Sequence, residues 1–293
     1  MHLVIQNLIN ALLLGGFYSA VAVGFSLVWG VMNVINLAHG AMIMLGAYTT
    51  FWLFHLFGLD PFLSIPISML FLFCFGFGLQ KFIINLVVRA PVFMVLILTF
   101  GVEIAIMNVC TMLWTANYRS VNPSYAGTGL ELGGIIVPYM RIAIFVIALL
   151  LTFGLYLFLN RTKTGNAIKA TGLDKEAAEL MGVDIGRIYA ITFAVSAALA
   201  GAAGSMMVTT SAVNPYSGGA YTFIAALIVC LGGLGNIMGV VAGAFVVAFA
   251  QTLGSYLVSP GLKMFISFVL LVIILSVRPQ GIMGKKFFAE VKH

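Results

Sequence analysis

The sequence predicts an all-α polytopic membrane protein with about eight to nine transmembrane helices. Three observations carry this prediction. Of 293 residues, 62% are apolar and only 8% are charged, whereas soluble chains carry about a quarter charged residues. Nine long apolar runs follow one another along the chain. Lys and Arg gather in alternate connections between those runs. With 14 basic and 8 acidic residues, there is too little charged surface to coat a water-soluble globule, which excludes a soluble enzyme. The net charge of +6 does not rescue a nucleic-acid-binding reading, because the bases lie between apolar runs rather than on one face. The 32 glycines fit a bilayer protein, since Gly is commoner in transmembrane helices than in soluble ones. Residues 1–293 read as a single transmembrane domain, so soluble partners are expected to be separate chains.

About 20 mainly apolar residues span a ~30 Å hydrocarbon layer as a helix. The runs are about 7–29, 38–57, 62–80, 92–115, 138–159, 188–210, 220–234, 237–258 and 262–277. Residues 1–10 hold no Lys or Arg, so the first run lacks the basic flank of a signal peptide and is expected to remain as a span. No charge separates the first two runs, and their turn is inferred from Asn33, Asn36 and His39. Runs 220–234 and 237–258 are split only by the glycines around Gly233 and Gly235. One member of either pair is a candidate broken or re-entrant helix, which membranes tolerate only where it is buried in protein or lines a cavity.

Alternating the nine runs with 160–187 and the tail 278–293 on the cytoplasmic side places Lys81, Arg89, Arg161, Lys163, Lys169, Lys175, Arg187, Arg278, Lys285, Lys286 and Lys292 inside. Only Arg119, Arg141 and Lys263 fall outside. Basic residues prefer the cytoplasmic side, so the N-terminus is expected outside and the C-terminus in the cytoplasm. The outer stretch 116–137 is rich in Asn, Pro and Gly and reads as a compact surface loop.

The inner stretch reads differently. Asp174 is placed to N-cap a short helix over Lys175 to Met181, with Gly182 as its C-cap. Four of the eight acids fall within 174–184. An interfacial helix in anionic headgroups would gain nothing from them. Small residues recur at every fourth position in Gly235, Gly239, Gly243 and in Ala197, Gly201, Ser205, with Ser196, Ala200, Gly204 alongside. These faces predict close helix contacts, within or between subunits.

Residues suited to chemistry are few. Cys74, Cys110 and Cys230 sit in apolar runs without metal-type spacing, and the four histidines are scattered. No metalloprotease, nucleophile-elbow or phosphate-loop motif occurs, so neither a catalytic site nor a metal or cofactor of its own is expected. Glu103 stands in the middle of the fourth run, where an ionised carboxylate must face the bundle interior, be paired or be protonated. It reads either as a binding or proton-relay group or as a buried acid bonded to a neighbouring helix. Asn108 lies five residues on. Asn33, Asn36 and His39 recur at i, i+3, i+6, roughly one helical side, and either line a pathway or form an exposed turn. Gln251 is positioned as interhelical glue or as part of a pathway.

The run Gly24 to Gly40 (Gly-Phe-Ser-Leu-Val-Trp-Gly-Val-Met-Asn-Val-Ile-Asn-Leu-Ala-His-Gly) resembles the N-terminal signature of bacterial ABC-importer permeases for branched-chain amino acids. Arg119 to Pro123, Thr164 to Ala170 and Gly232 to Gly239 are similar to further motifs of that family. Glu176-Ala177-Ala178 followed by Gly182 resembles the importer-permease coupling pattern, although the Ile-x-Leu-Pro ending is absent at Ile191 to Ala198. The resemblance implies that Asp174, Lys175, Glu176, Ala177, Ala178, Glu179, Leu180, Met181 and Gly182 dock a cytoplasmic ATPase. It implies a second homologous permease, two ATPases that use ATP, an extracytoplasmic substrate-binding protein and an inner-membrane location. Related permeases also carry urea and amides, and a self-contained secondary transporter is the rival from another class. The family pattern has a small residue where Glu103 stands and Gln where Met107 stands, before the Asn matched by Asn108. This departure bears on substrate choice.

Overall fold

A computed structural model of the chain describes residues 2–87, 90–132 and 134–284. Its helices are α1 (His2–Met32), α2 (His39–Phe57), α3 (Ile65–Phe82), α4 (Val92–Trp114), α5 (Tyr139–Arg161), α6 (Lys163–Leu173), α7 (Lys175–Leu180), α8 (Ile185–Thr210), α9 (Gly218–Gly232), α10 (Ile237–Leu257) and α11 (Lys263–Val277). All nine apolar runs are helices. Seven are long and apolar enough to cross a bilayer, while α9 and α11 have 15 residues each. The chain is a multi-pass membrane protein.

The helices sort by how they meet hydrocarbon. In α8, residues 192–209 are buried apart from Val195. The helix is apolar all round, as a helix enclosed by others must be. α3 buries one stripe, Ile65, Ser68, Leu72, Gly76 and Leu79, and α5 buries Met140, Ile144, Ala148, Thr152 and Leu155. Their remaining faces expose large apolar side chains such as Phe71, Leu150 and Phe153. α4 buries only Val95, Thr99 and Cys110.

Glycine sets the closest crossings. A Cβ on Gly204 of α8 would collide with the Ile43 carbonyl of α2 and lie 2.7 Å from the Ala47 nitrogen. Gly201 meets Ser68 and Leu72 of α3, and Gly243 meets Ile228 and Gly232 of α9. The small-residue faces of the sequence therefore join helices within one chain.

Two groups of connections gather at opposite ends. At one end, the Tyr125 hydroxyl donates to Asp60 Oδ2 at 2.6 Å. Burial and the Asp60 carboxylate push the Tyr125 phenol above its ordinary pKa. Arg119 and Val213 exchange both backbone hydrogen bonds at 2.8 Å, joining 116–137 to 211–217. At the other end, Gly172 of α6 and Gly235 of the α9–α10 turn both lie against Gly30 of α1.

Two features exceed the sequence reading. The loop 116–137 is more than a compact loop: it leads into an antiparallel hairpin, β1 (Gly129–Leu132) with β2 (Ile135–Pro138). The Gln6 side chain anchors it by bonding both backbone groups of Ile136 at 2.9 and 3.0 Å. Residues 163–173 form a full helix, α6, with Thr162 Oγ1 capping Gly165 N at 2.9 Å. Arg89, Lys285, Lys286, Lys292 and most of the tail 278–293 lie outside the described residues.

Gly204→Leu should abolish the α2–α8 crossing, because backbone atoms cannot move aside as side chains can; the cost is about 3 kcal/mol or more. Gly78→Leu, where nothing lies within 4 Å, should leave the chain intact. Fluorescence-detected size exclusion of the two variants after a heating series checks this, with early aggregation expected for Gly204→Leu alone.

Candidate functional site

The site begins where α1 stops. Asn33 has φ +53°, a left-handed conformation that Asn adopts more readily than most residues, and it turns the chain back toward the core. Residues 33–38 are not helical. His39 Nε2 reaches the Val21 carbonyl at 3.0 Å, and it must be the donor because a carbonyl only accepts. The imidazole lies beside Val21, Gly24 and Phe25 rather than Met32, so α2 starts about two turns or more inside the end of α1. Six extended residues reach about 20 Å, enough for the return.

Non-helical backbone at this depth needs partners. Two hydroxyls from other helices supply them. Thr99 Oγ1 of α4 accepts from Leu37 N at 3.3 Å and lies equally close to Ile35 O. Thr222 Oγ1 of α9 accepts from Gly40 N at 2.8 Å and donates to Leu37 O at 3.3 Å. Gly40 and Gly218 are packed backbone to backbone. Helices α2 and α9 therefore meet N-terminus to N-terminus within the bundle. α2 runs from this junction toward the hairpin end, and α9 runs toward Gly232 at the opposite end.

Beside the junction is a cavity of about 400 Å³. Leu37, Phe100, Ile104, Met107 and Phe223 give it apolar walls, and Glu103 and Thr222 are its polar groups. A smaller space of about 110 Å³ adjoins it at Glu103, Met107 and Gly219. Phe100 and Phe223 are half exposed, so the cavity is a groove on the surface of the single chain, between α4 and α9. The Glu103 side chain is half-buried there, with Oε1 3.4 Å from where a Cβ on Gly219 would stand.

The structure separates the other sequence candidates. Asn33, Asn36 and His39 do not share a helical face, because the helix ends at Met32. Asn33 is exposed, whereas Asn36 and His39 are buried. Asn36 Nδ2, Asn36 Oδ1 and His39 Nδ1 have no partner among the described residues. Asn108 is exposed, and its Nδ2 returns to Ile104 O of its own helix at 2.8 Å. Gln251 ties three helices: Tyr18 donates to its Oε1 at 2.7 Å, and its Nε2 donates to Ser267 Oγ at 2.8 Å. Thr99, Thr222 and Gly218 were not singled out from sequence. Their hydroxyls and close approach matter only because the chain breaks beside them.

The second candidate region lies at the α6–α7 end. Asp174 Oδ1 caps α7 by accepting from Ala177 N at 3.0 Å, and Gly182 has the positive φ, +84°, of a helix stop. Asp184 caps α8 in the same way through Arg187 N. Ala178 is buried, while Lys175, Glu176, Ala177 and Glu179 are exposed. Leu180 and Met181 are 89% and 84% exposed.

A family model for the permease component of branched-chain amino acid transport systems matches residues 7–275. The chain belongs to this family. The permease is 30% identical to the high-affinity branched-chain amino acid transport system permease protein BraD of Pseudomonas aeruginosa, over 96% of each chain. It is 28% identical to the LivH permease protein of Escherichia coli, again over 96% of each. It also matches the LivM permease protein of Escherichia coli at 28% identity, over 91% of this chain and 67% of that one. No solved structure matches.

Thr222→Val in the permease preserves shape and removes the hydroxyl, leaving Gly40 N and Leu37 O unpaired inside the bundle. The expected loss is about 1–3 kcal/mol, read as a lower unfolding midpoint in detergent. Thr49→Val, whose hydroxyl serves only Leu45 O of its own helix, should change it little.

Proposed function

We propose that this chain is one of the two permease subunits of an ATP-driven importer in the bacterial inner membrane. Its substrates are branched-chain or related hydrophobic amino acids. The carrying observation is the groove between α4 and α9, which combines apolar walls with one carboxylate and lies open on the side of a single chain. A charged side chain turned to lipid at the bilayer centre costs about 2.5–3.5 kcal/mol or more. A second homologous permease closing over α4 removes that cost and turns the groove into an enclosed path. Matches to both LivH and LivM support such a paired arrangement.

ATP hydrolysis belongs to two separate cytoplasmic subunits, and substrate is delivered by an extracytoplasmic binding protein. The N-terminus lies outside and the C-terminus in the cytoplasm. The exposed Leu180 and Met181, flanked by Glu176 and Glu179, form the docking edge for an ATPase. α6 connects this edge to the core, because Gly172 rests on Gly30 and Val31 at the end of α1. Residues 33–38 start there and lead to the junction beside the groove. A push on α7 thus reaches the substrate path through α6, the end of α1 and residues 33–38, a two-state device of the kind used in transporters.

Proteoliposomes holding the permease pair with candidate ATPases and a candidate binding protein should take up leucine only with ATP on the ATPase side. Uptake driven instead by a proton gradient without ATP would overturn the importer reading. Leu180→Asp combined with Met181→Asp alters only exposed positions. It should remove ATPase co-purification and lower uptake about tenfold or more while the permease remains monodisperse.

A further inference from the structure

We propose that Glu103 is the specificity-determining residue of the groove, binding the ammonium group of a substrate whose hydrocarbon body lies against Phe100, Ile104, Met107 and Phe223. The proposal rests on the groove being the substrate path. Every other acid in the sequence falls in a connection or the tail, so Glu103 alone places a carboxyl group within the membrane-spanning helices. No hydrogen bond or ion pair engages its carboxylate among the described residues. The neighbouring polar groups are otherwise occupied: Thr222 serves Gly40 and Leu37, and the Asn108 amide serves Ile104. The first turn of α9 at Gly219 offers only the partial positive charge of a helix N-terminus.

The alternatives fail on chemistry. A hard metal cation takes six or more oxygen ligands, and the groove offers one carboxylate and one hydroxyl. A proton relay needs a second titratable group within reach. The nearby His39 is fully buried, with Nε2 committed to Val21, and does not line the groove. A structural acid of this chain's own bundle would have a partner within it, and none among the described residues engages Glu103. A single unpaired carboxylate in an apolar groove of about 400 Å³ is complementary to a small cation carried on a hydrocarbon body. The amino end of a hydrophobic amino acid has that chemistry.

The test uses the assembled permease in nanodiscs, with Met107→Cys as reporter and Cys74, Cys110 and Cys230 replaced by Ala. Methyl methanethiosulfonate, which is uncharged, labels the reporter. Three ligands that share a 3-methylbutyl body compete: 3-methylbutylamine, 4-methylpentanoate and 3-methylbutan-1-ol. The amine should protect at a concentration about tenfold below that of the alcohol, equivalent to about 1.4 kcal/mol, and the acid should protect least. Glu103→Gln should bring amine and alcohol together, and Glu103→Asp should keep part of the preference. Equal protection by amine and alcohol in the Glu103 protein overturns the assignment without any variant at that position. An amine preference that survives Glu103→Gln overturns it as well. Selective protection without ATP-dependent uptake would keep the site and refute the importer, whereas the converse would refute only the role of Glu103.

Discussion

Backbone polar groups at membrane depth must find partners inside the protein, and the architecture around residues 33–40 depends on meeting that demand. α1 does not connect to α2 through a turn at the bundle's end. The chain re-enters, and each exposed amide or carbonyl on the way back has to be met by another helix. Thr99 and Thr222 meet several of them from two helices that have no other reason to converge there. The close contact of Gly40 with Gly218 follows, since any larger residue would hold Thr222 too far from Gly40 N. The groove is a by-product of this geometry. Two helices that begin at mid-depth leave space beside their first turns that continuous helices would fill.

Much of this was legible in the sequence, and the failures share one cause. All nine apolar runs became helices, because twenty apolar residues in hydrocarbon have no other way to satisfy their backbone. The cap at Asp174 was readable because N-capping is local: a carboxylate three residues before the amide it receives. Glu103 was conspicuous because charge within an apolar run is expensive. The break after Met32 was harder. Asn33, Asn36 and His39 have helical spacing, and apolar composition looks the same whether or not the helix continues. Only the absence of charge between the first two runs and the glycine-split pair hinted at re-entrant chain. Which run contained it depended on hydroxyls 62 and 182 residues away. α6 was missed because its sequence, Lys-Thr-Gly-Asn-Ala-Ile-Lys-Ala-Thr-Gly-Leu, sets two glycines, two threonines and an asparagine among its helix formers. Its contacts with α1 and α5 supply what propensity does not.

Gly30 gives the break its mechanical setting. Gly172 and Gly235 both rest against it, so α6 and the α9–α10 turn bear on the last turn of α1 just before the chain leaves helical geometry. Cβ atoms at this point would separate the three segments. With glycine, a displacement of α6 reaches both arms that form the junction, through α1 into residues 33–38 and through the α9–α10 turn into α9.

α4 completes the arrangement because so little holds it. It buries only Val95, Thr99 and Cys110, and Thr99 is the residue that grips the re-entrant strand. The helix carrying Glu103 is therefore fastened at two points, through Thr99 to the non-helical segment and through Trp114, which stacks on Tyr48 of α2. Moving residues 33–38 moves Thr99, and Glu103 lies four residues further along the same rigid helix, one turn away on the same face. The carboxylate and the first turn of α9, now adjacent at Gly219, would be shifted relative to each other by any displacement that opens the junction. An acid on a tightly packed helix would stay fixed as the core rearranged. On α4 a movement of residues 33–38 would also reposition Glu103, the one charged side chain among the described residues that line the groove.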